Sequence, residues 1–101
     1  MRNLHIPDSK HVEILCVDFD DNFCPEFEDE GTFEVTSGRD CFTPALPLGK
    51  VSKGRTVFKA PDREETVHWT FVGDRTREKA TGEIRVRRDS ECHESTPPEC
   101  P

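Results

Sequence analysis

Apolar and polar residues alternate along several segments of this chain, which is the pattern of strands that bury one face. The clearest segment is residues 66–72, where Val67, Trp69 and Phe71 alternate with His68 and Thr70. Gly, Pro and Asp interrupt the chain between such segments, as they do at turns. Five strands are predicted on this basis, over residues 11–19, 31–36, 51–60, 66–72 and 81–88.

Strands at roughly ten-residue spacing predict an all-β fold, a small antiparallel β-sandwich or a partly open barrel. No segment keeps a helical period of 3.6 over three turns. Residues 74–79 are compatible with one helical turn or with a long hairpin loop, and residues 42–49, with two prolines, are expected to cross irregularly between sheets. The predicted core consists of Ile14, Val17, Phe33, Phe58, Val67, Trp69, Phe71, Ile84 and Val86.

A chain of 101 residues holds one small domain. We expect an N-terminal extension at 1–10, the sandwich domain at 11–92 and a Pro-rich C-terminal tail at 93–101. No apolar run is long enough to span a bilayer, and none follows Arg2 as a secretory signal requires. These features predict no membrane span, and either a cytoplasmic protein, if Met1 is native, or a mature or excised domain. We also expect a monomer.

Charged residues make up 35% of the chain, the net charge is −7, and the charges are segregated. Nine of the acids and none of the bases lie within 13–34, whereas eleven of the fourteen bases lie within 50–88. The favoured interpretation is that acidic strands pair with basic ones. The alternative is an acidic face directed at a basic protein partner, with Glu26, Glu28, Asp29 and Glu30 as candidate contacts. Nucleic-acid binding is not expected of a chain this acidic.

The acidic turn after the first predicted strand partly matches a calcium-binding loop. Asp18, Asp20 and Asn22 place oxygen ligands at alternate positions, and Asp21 adds a further carboxylate. Phe23 stands where such a loop needs glycine, and Asp29 where it needs a bidentate glutamate. The sequence favours a solvated acidic turn, and a calcium site formed by Asp18, Asp20 and Asp21 with acids from 26–30 is the alternative.

The chain has five cysteines, Cys16, Cys24, Cys41, Cys92 and Cys100, and no C-x-x-C motif. This content suits a small domain of an oxidising compartment, with one or two disulfides. Cys16 lies mid-strand, where a buried and inert thiol is expected. The other four are the disulfide candidates, and pairing Cys24 with Cys92 and Cys41 with Cys100 is one option among several.

Catalytic chemistry finds little support in the sequence. None of the four histidines adjoins a Ser or Cys in a nucleophile motif, and Cys92 and His93 point apart on an extended chain. No phosphate-binding glycine loop is present, since residues 49–54 lack the spacing. We therefore predict that the protein is not an enzyme and that it needs no cofactor.

An ordered series of segments resembles a known kind of domain. Residues 51–58 (VSKGRTVF), 67–71 (VHWTF) and 80–86 (ATGEIRV), followed by Cys92, resemble a β-sandwich domain of unknown function that is common in secreted actinobacterial and related bacterial proteins. Residues 12–19 and Cys24 resemble the first strand and first cysteine of that domain. The resemblance implies a non-enzymatic module that is secreted or exposed at the cell surface.

Two functional hypotheses follow from the sequence. The first is a non-enzymatic β-sandwich that acts as a binding or structural module, expected outside the cell. The second is an acidic inhibitor, such as a phage or mobile-element product, that occupies a basic groove of a target enzyme through residues 13–34. Binding through such an acidic face would weaken steeply with salt.

Overall fold

The computed structural model describes residues 2–88 as two packed β-sheets that are not closed into a barrel. The first sheet contains β1 (Arg2–Ile6), β3 (Asn22–Phe27), β6 (Gly54–Arg55) and β7 (Phe58–Lys59). The second has the order β2 (His11–Asp18), β9 (Lys79–Arg87), β8 (Glu65–Gly73), β4 (Gly31–Val35) and β5 (Gly49–Val51). A 3₁₀ turn at Arg39–Cys41 follows β4. The predicted all-β fold with two packed sheets is confirmed.

Four of the five predicted strands are confirmed as β2, β4, β8 and β9, with boundaries within two residues. Strands β8 and β9 form a long antiparallel hairpin whose register pairs Trp69 with Gly82. Residues 74–78 form the loop of this hairpin, so the hairpin interpretation of this segment is the correct one.

The N-terminal segment is not an extension of the domain but contributes a strand to it. Leu4 and Ile6 on β1 are 2% and 0% exposed, and β1 pairs in parallel with β3. The alternation of apolar and polar residues did not predict these two strands, because β1 has only two inward apolar residues and β3 contains Pro25 within an acidic run. Strand β3 buries Phe23 and Phe27 behind that run.

The sandwich is not purely antiparallel. Among the described strands, β1 pairs in parallel with β3, and β2 pairs in parallel with β9. The chain enters the first sheet at β1, crosses to the second at β2, returns at β3 and crosses again at β4. Parallel neighbours need such crossovers, and here strands of the opposite sheet provide them.

The predicted strand at 51–60 is divided between the sheets. Strand β5 ends at Val51 in the second sheet, whereas β6 and β7 both pair with β3 in the first. Between β6 and β7 the ladder is interrupted opposite Pro25, which has no N–H to donate. The Thr56 amide donates to the Pro25 carbonyl over 3.4 Å and holds the interruption in place.

The core lies between the sheets and is rich in aromatic rings. Trp69 stacks on Phe33 with 5.9 Å between ring centroids, and Phe27 contacts Phe33 edge-on at 5.2 Å. Eight of the nine predicted core residues are buried, but Ile14 is 42% exposed. In the β2 register Leu15 and Val17 face inward, so Ile14 lies on the outer face.

Residues 42–49 form an irregular connection, as predicted. It starts beside the first sheet, where Thr43 bridges Lys59, and leads to β5 in the second sheet. Leu46 is 1% exposed and fixes the middle of the connection to the core. The predicted tail at 93–101 lies outside the described residues.

Candidate functional site

The acidic residues of 26–30 do not form one free acidic face. The Glu26 carboxylate lies 3.6 Å from the Arg55 guanidinium, its cross-strand neighbour on β6. His5 on β1 has its Nε2 atom 2.8 Å from Glu28 Oε2 and its Nδ1 atom 3.8 Å from Glu26 Oε1. Two of the four candidate contacts, Glu26 and Glu28, therefore have partners within the first sheet. This favours the interpretation that acidic strands pair with basic ones over that of a free acidic face.

Asp29 and Glu30 lie in the turn between β3 and β4, at a junction of three turns. Asp29 Oδ2 is buried, makes no hydrogen bond, and lies 3.8 Å from Arg75 Nε. The same guanidinium donates a hydrogen bond to the buried carboxylate of Asp8. This hydrogen bond lowers the pKa of Asp8 and raises that of Arg75. The arrangement holds the β1–β2, β3–β4 and β8–β9 turns together.

The structure does not bring the candidate calcium ligands Asp18, Asp20 and Asp21 together as a metal site. Asp18 Oδ1 accepts the Phe19 amide at 2.7 Å, and Asp21 Oδ1 accepts the Asn22 amide at 2.9 Å. Asp20 adopts a left-handed conformation with φ of 61°, and its amide donates to the Pro61 carbonyl. Within residues 2–88, no three His, Cys, Asp or Glu side chains are grouped so that they could hold a metal ion.

The cysteines differ from the predicted set. Cys41 is a free thiol in the 3₁₀ turn, with its sulfur 3.0 Å from Arg63 Nη2 and 3.7 Å from Glu65 Oε2. Its predicted role as a disulfide cysteine is wrong, because this turn holds the sulfur against the start of β8. Cys16 and Cys24 are buried at 4% and 0% exposure, and both are disulfide-bonded. The expectation of an inert thiol at Cys16 is therefore corrected, whereas Cys92 and Cys100 lie outside the described residues.

A groove of about 400 Å³ opens between the edges of the two sheets, at the side where the chain passes from β5 to β6. Its floor is formed by Phe27 and Phe58, which are 6% and 4% exposed. Phe27 also contacts Phe71 in the core, with 5.5 Å between ring centroids. The floor of the groove is therefore continuous with the aromatic core.

The walls of the groove come from two short segments of the chain, one irregular and one that includes the end of β5 and all of β6. Pro44, Ala45 and Pro47 line one side, and the Thr43–Pro44 peptide bond is cis. The other side consists of Val51, Ser52, Lys53, Gly54, Arg55 and Thr56. The lining is apolar at the bottom and carries Lys53 and Arg55 at the rim, which is the usual composition of a binding groove.

Four large apolar side chains of the described residues are substantially exposed, and they fall into two pairs. Leu48 and Val57, 59% and 46% exposed, are next in sequence to the groove residues Pro47 and Thr56. Val12 and Ile14, 67% and 42% exposed, lie on the outer face of the edge strand β2. Sequence reasoning missed the groove, because neither wall carries a motif and the floor residues Phe27 and Phe58 are remote from each other in the chain.

Comparison of the chain with family models, with curated proteins and with solved structures finds no match. Within residues 2–88 no helix is long and apolar enough to cross a membrane. The fold and the groove therefore define the class of protein: it is a two-sheet β-sandwich with an apolar groove between the edges of its sheets.

Proposed function

We propose that this protein is a non-enzymatic binding module whose groove receives an extended segment of a partner protein. The observation that carries the proposal is the apolar groove between β5 and β6, flanked by exposed Leu48 and Val57. Exposed apolar groups beside a preformed groove are typical of interaction sites.

The groove favours an extended segment because one wall begins at Val51, the last residue of the edge strand β5. Strand β5 pairs with β4 on one side, and among the described residues nothing pairs with its other side. A segment that adds to such an edge gains main-chain hydrogen bonds, while pockets accept alternate side chains. Lys53 at the rim complements an acidic residue, so the expected partner segment alternates apolar residues and carries one acid.

The proposal includes an oxidising compartment, secreted or at the cell surface. The cysteine content and the resemblance to secreted bacterial modules both support this location. The acidic-inhibitor alternative receives less support, since Glu26 pairs with Arg55 and Glu28 with His5.

Selection from a displayed library of random nonapeptides tests the proposal. We expect enriched sequences that alternate apolar residues, and we expect binding to the selected peptides to be lost in Ala45→Arg, which blocks the groove. Ser9→Arg, which adds the same charge on the exposed β1–β2 turn, is the matched control and should bind as the parent does.

Failure to enrich any sequence, or equal binding by Ala45→Arg, would overturn the groove as the site.

The salt dependence of binding distinguishes the binding module from the acidic inhibitor. Binding through main-chain and apolar contacts should change less than about 3-fold between about 0.05 and about 0.5 M salt. A steeper loss would instead indicate the acidic face.

A further inference from the structure

The edge strand β2 presents a surface that the groove does not explain. It is eight residues long and pairs with β9 on one side, and no described strand pairs with its other side. Val12 and Ile14 are exposed on its outer face, next to Thr81 and Glu83 of β9. Long edge strands with exposed apolar residues associate with other strands unless they are blunted.

We propose that two copies of this chain associate through β2, so that their second sheets join across a twofold axis. A closed twofold interface brings the same strand of each copy together, and strands related by an axis perpendicular to the sheet run antiparallel. The occupant of the edge is therefore a second β2, in place of the monomer expected from the sequence.

The alternation of faces restricts the register of this pairing. Residues directly opposite each other in an antiparallel pair share a face, so outward residues must oppose outward residues. One register that keeps nearly the whole strand paired places Ile14 opposite Ile14 at the axis. In the same register Lys10 of each copy lies opposite Asp18 of the other.

Charge complementarity selects that register over its neighbours. A shift of the axis to residue 13 would place the two Glu13 carboxylates opposite each other, and like charges in that position are destabilising. A shift to residue 15 would place Asp18 opposite Val12 and lose the pairing with Lys10. With the axis at Ile14, each Glu13 keeps its contact with His11 Nε2 at 2.7 Å in its own copy.

Analytical ultracentrifugation of the full chain, from about 5 to about 500 µM, tests the proposal. We expect a reversible monomer–dimer equilibrium, and we expect the dissociation constant to rise at least ~10-fold in Ile14→Lys and in Val12→Lys. Leu48→Lys is the matched control, because it replaces an apolar residue beside the groove whose exposure lies between those of Val12 and Ile14, and it should leave the equilibrium unchanged.

A charge exchange tests the register itself. Lys10→Asp alone and Asp18→Lys alone should weaken the dimer several-fold, and the double variant should restore it, because both opposite-charge pairs are regained. A monomer throughout the concentration range, dimerisation insensitive to Ile14→Lys and Val12→Lys, or a double variant no better than the single ones would each overturn the proposal. Peptide selection by the groove does not depend on any of these results.

Discussion

The Arg75 guanidinium, itself exposed, donates a hydrogen bond to the buried carboxylate of Asp8, and this contact joins two loops that are 67 residues apart in the chain. Asp8 lies in the turn between β1 and β2, and Arg75 in the hairpin loop between β8 and β9. Thr76 adds a hydrogen bond from its hydroxyl to the Asp8 carbonyl. The turn that begins the second sheet is thereby held against the loop of its central hairpin.

Stability should fall in acid because of Asp8. Its pKa is lower in the folded protein than in the unfolded chain, so its contribution is present above the usual aspartate pKa of 3.8 and is lost as the pH falls through the lower folded value. We expect the melting temperature of Asp8→Asn to be lower than that of the parent at neutral pH and to depend less on pH below 4. Thermal melts at a series of pH values measure this. Parallel pH profiles of the two proteins would contradict the assignment.

The N-terminal strand should be essential to the core. Replacing Ile6, which is fully buried on β1, by Ala should lower the free energy of unfolding by about 2–5 kcal/mol. His5→Ala, at the exposed neighbouring position, should cost less than about 1 kcal/mol. Urea unfolding followed by the fluorescence of Trp69, the single tryptophan, provides the comparison. Equal losses in the two variants would show that β1 does not contribute to the core as described.

Gly82 should tolerate no side chain. A Cβ atom there would lie 1.9 Å from the Glu13 carbonyl oxygen and 2.5 Å from the Trp69 ring, so β2 or the indole would have to move. We expect Gly82→Ala to lower the free energy of unfolding by about 3 kcal/mol or more. Thr81→Ala, the adjacent outward position on β9, should change it by less than about 1 kcal/mol. Chemical denaturation of both variants measures the difference, and a mild effect at Gly82 would show that the two strands are not so closely spaced.

Cys41 should react with a thiol reagent without prior reduction. It is a free thiol and only half-buried, whereas Cys16 and Cys24 are buried and disulfide-bonded. We expect iodoacetamide to modify Cys41 in the folded protein and to reach Cys16 and Cys24 only after reduction and unfolding. Peptide mapping by mass spectrometry locates the modified residues, and Cys41→Ser identifies the peptide. Modification of Cys16 and Cys24 without reduction would remove the support for an oxidising compartment.

The local pattern of the sequence was sufficient for the all-β class and for four strands. In β8 and β9, every second residue is apolar or small, and a strand with one buried face needs nothing else. The same rule failed for Ile14, because four consecutive apolar residues at 14–17 make the inward register ambiguous. Only the pairing of β2 with β9 decides which of them faces the core.

The sequence by itself determined the alternation, the turns between the main strands and the segregation of charge. Only the tertiary structure decided the parallel pairings of β1 and β2, the division of residues 51–60 between two sheets, and the groove. The physical reason is that side-chain periodicity is local, whereas strand pairing depends on partners far away in the chain. The groove depends on such distant contacts. Its floor residues belong to the core, and the groove forms only once the two sheets have packed.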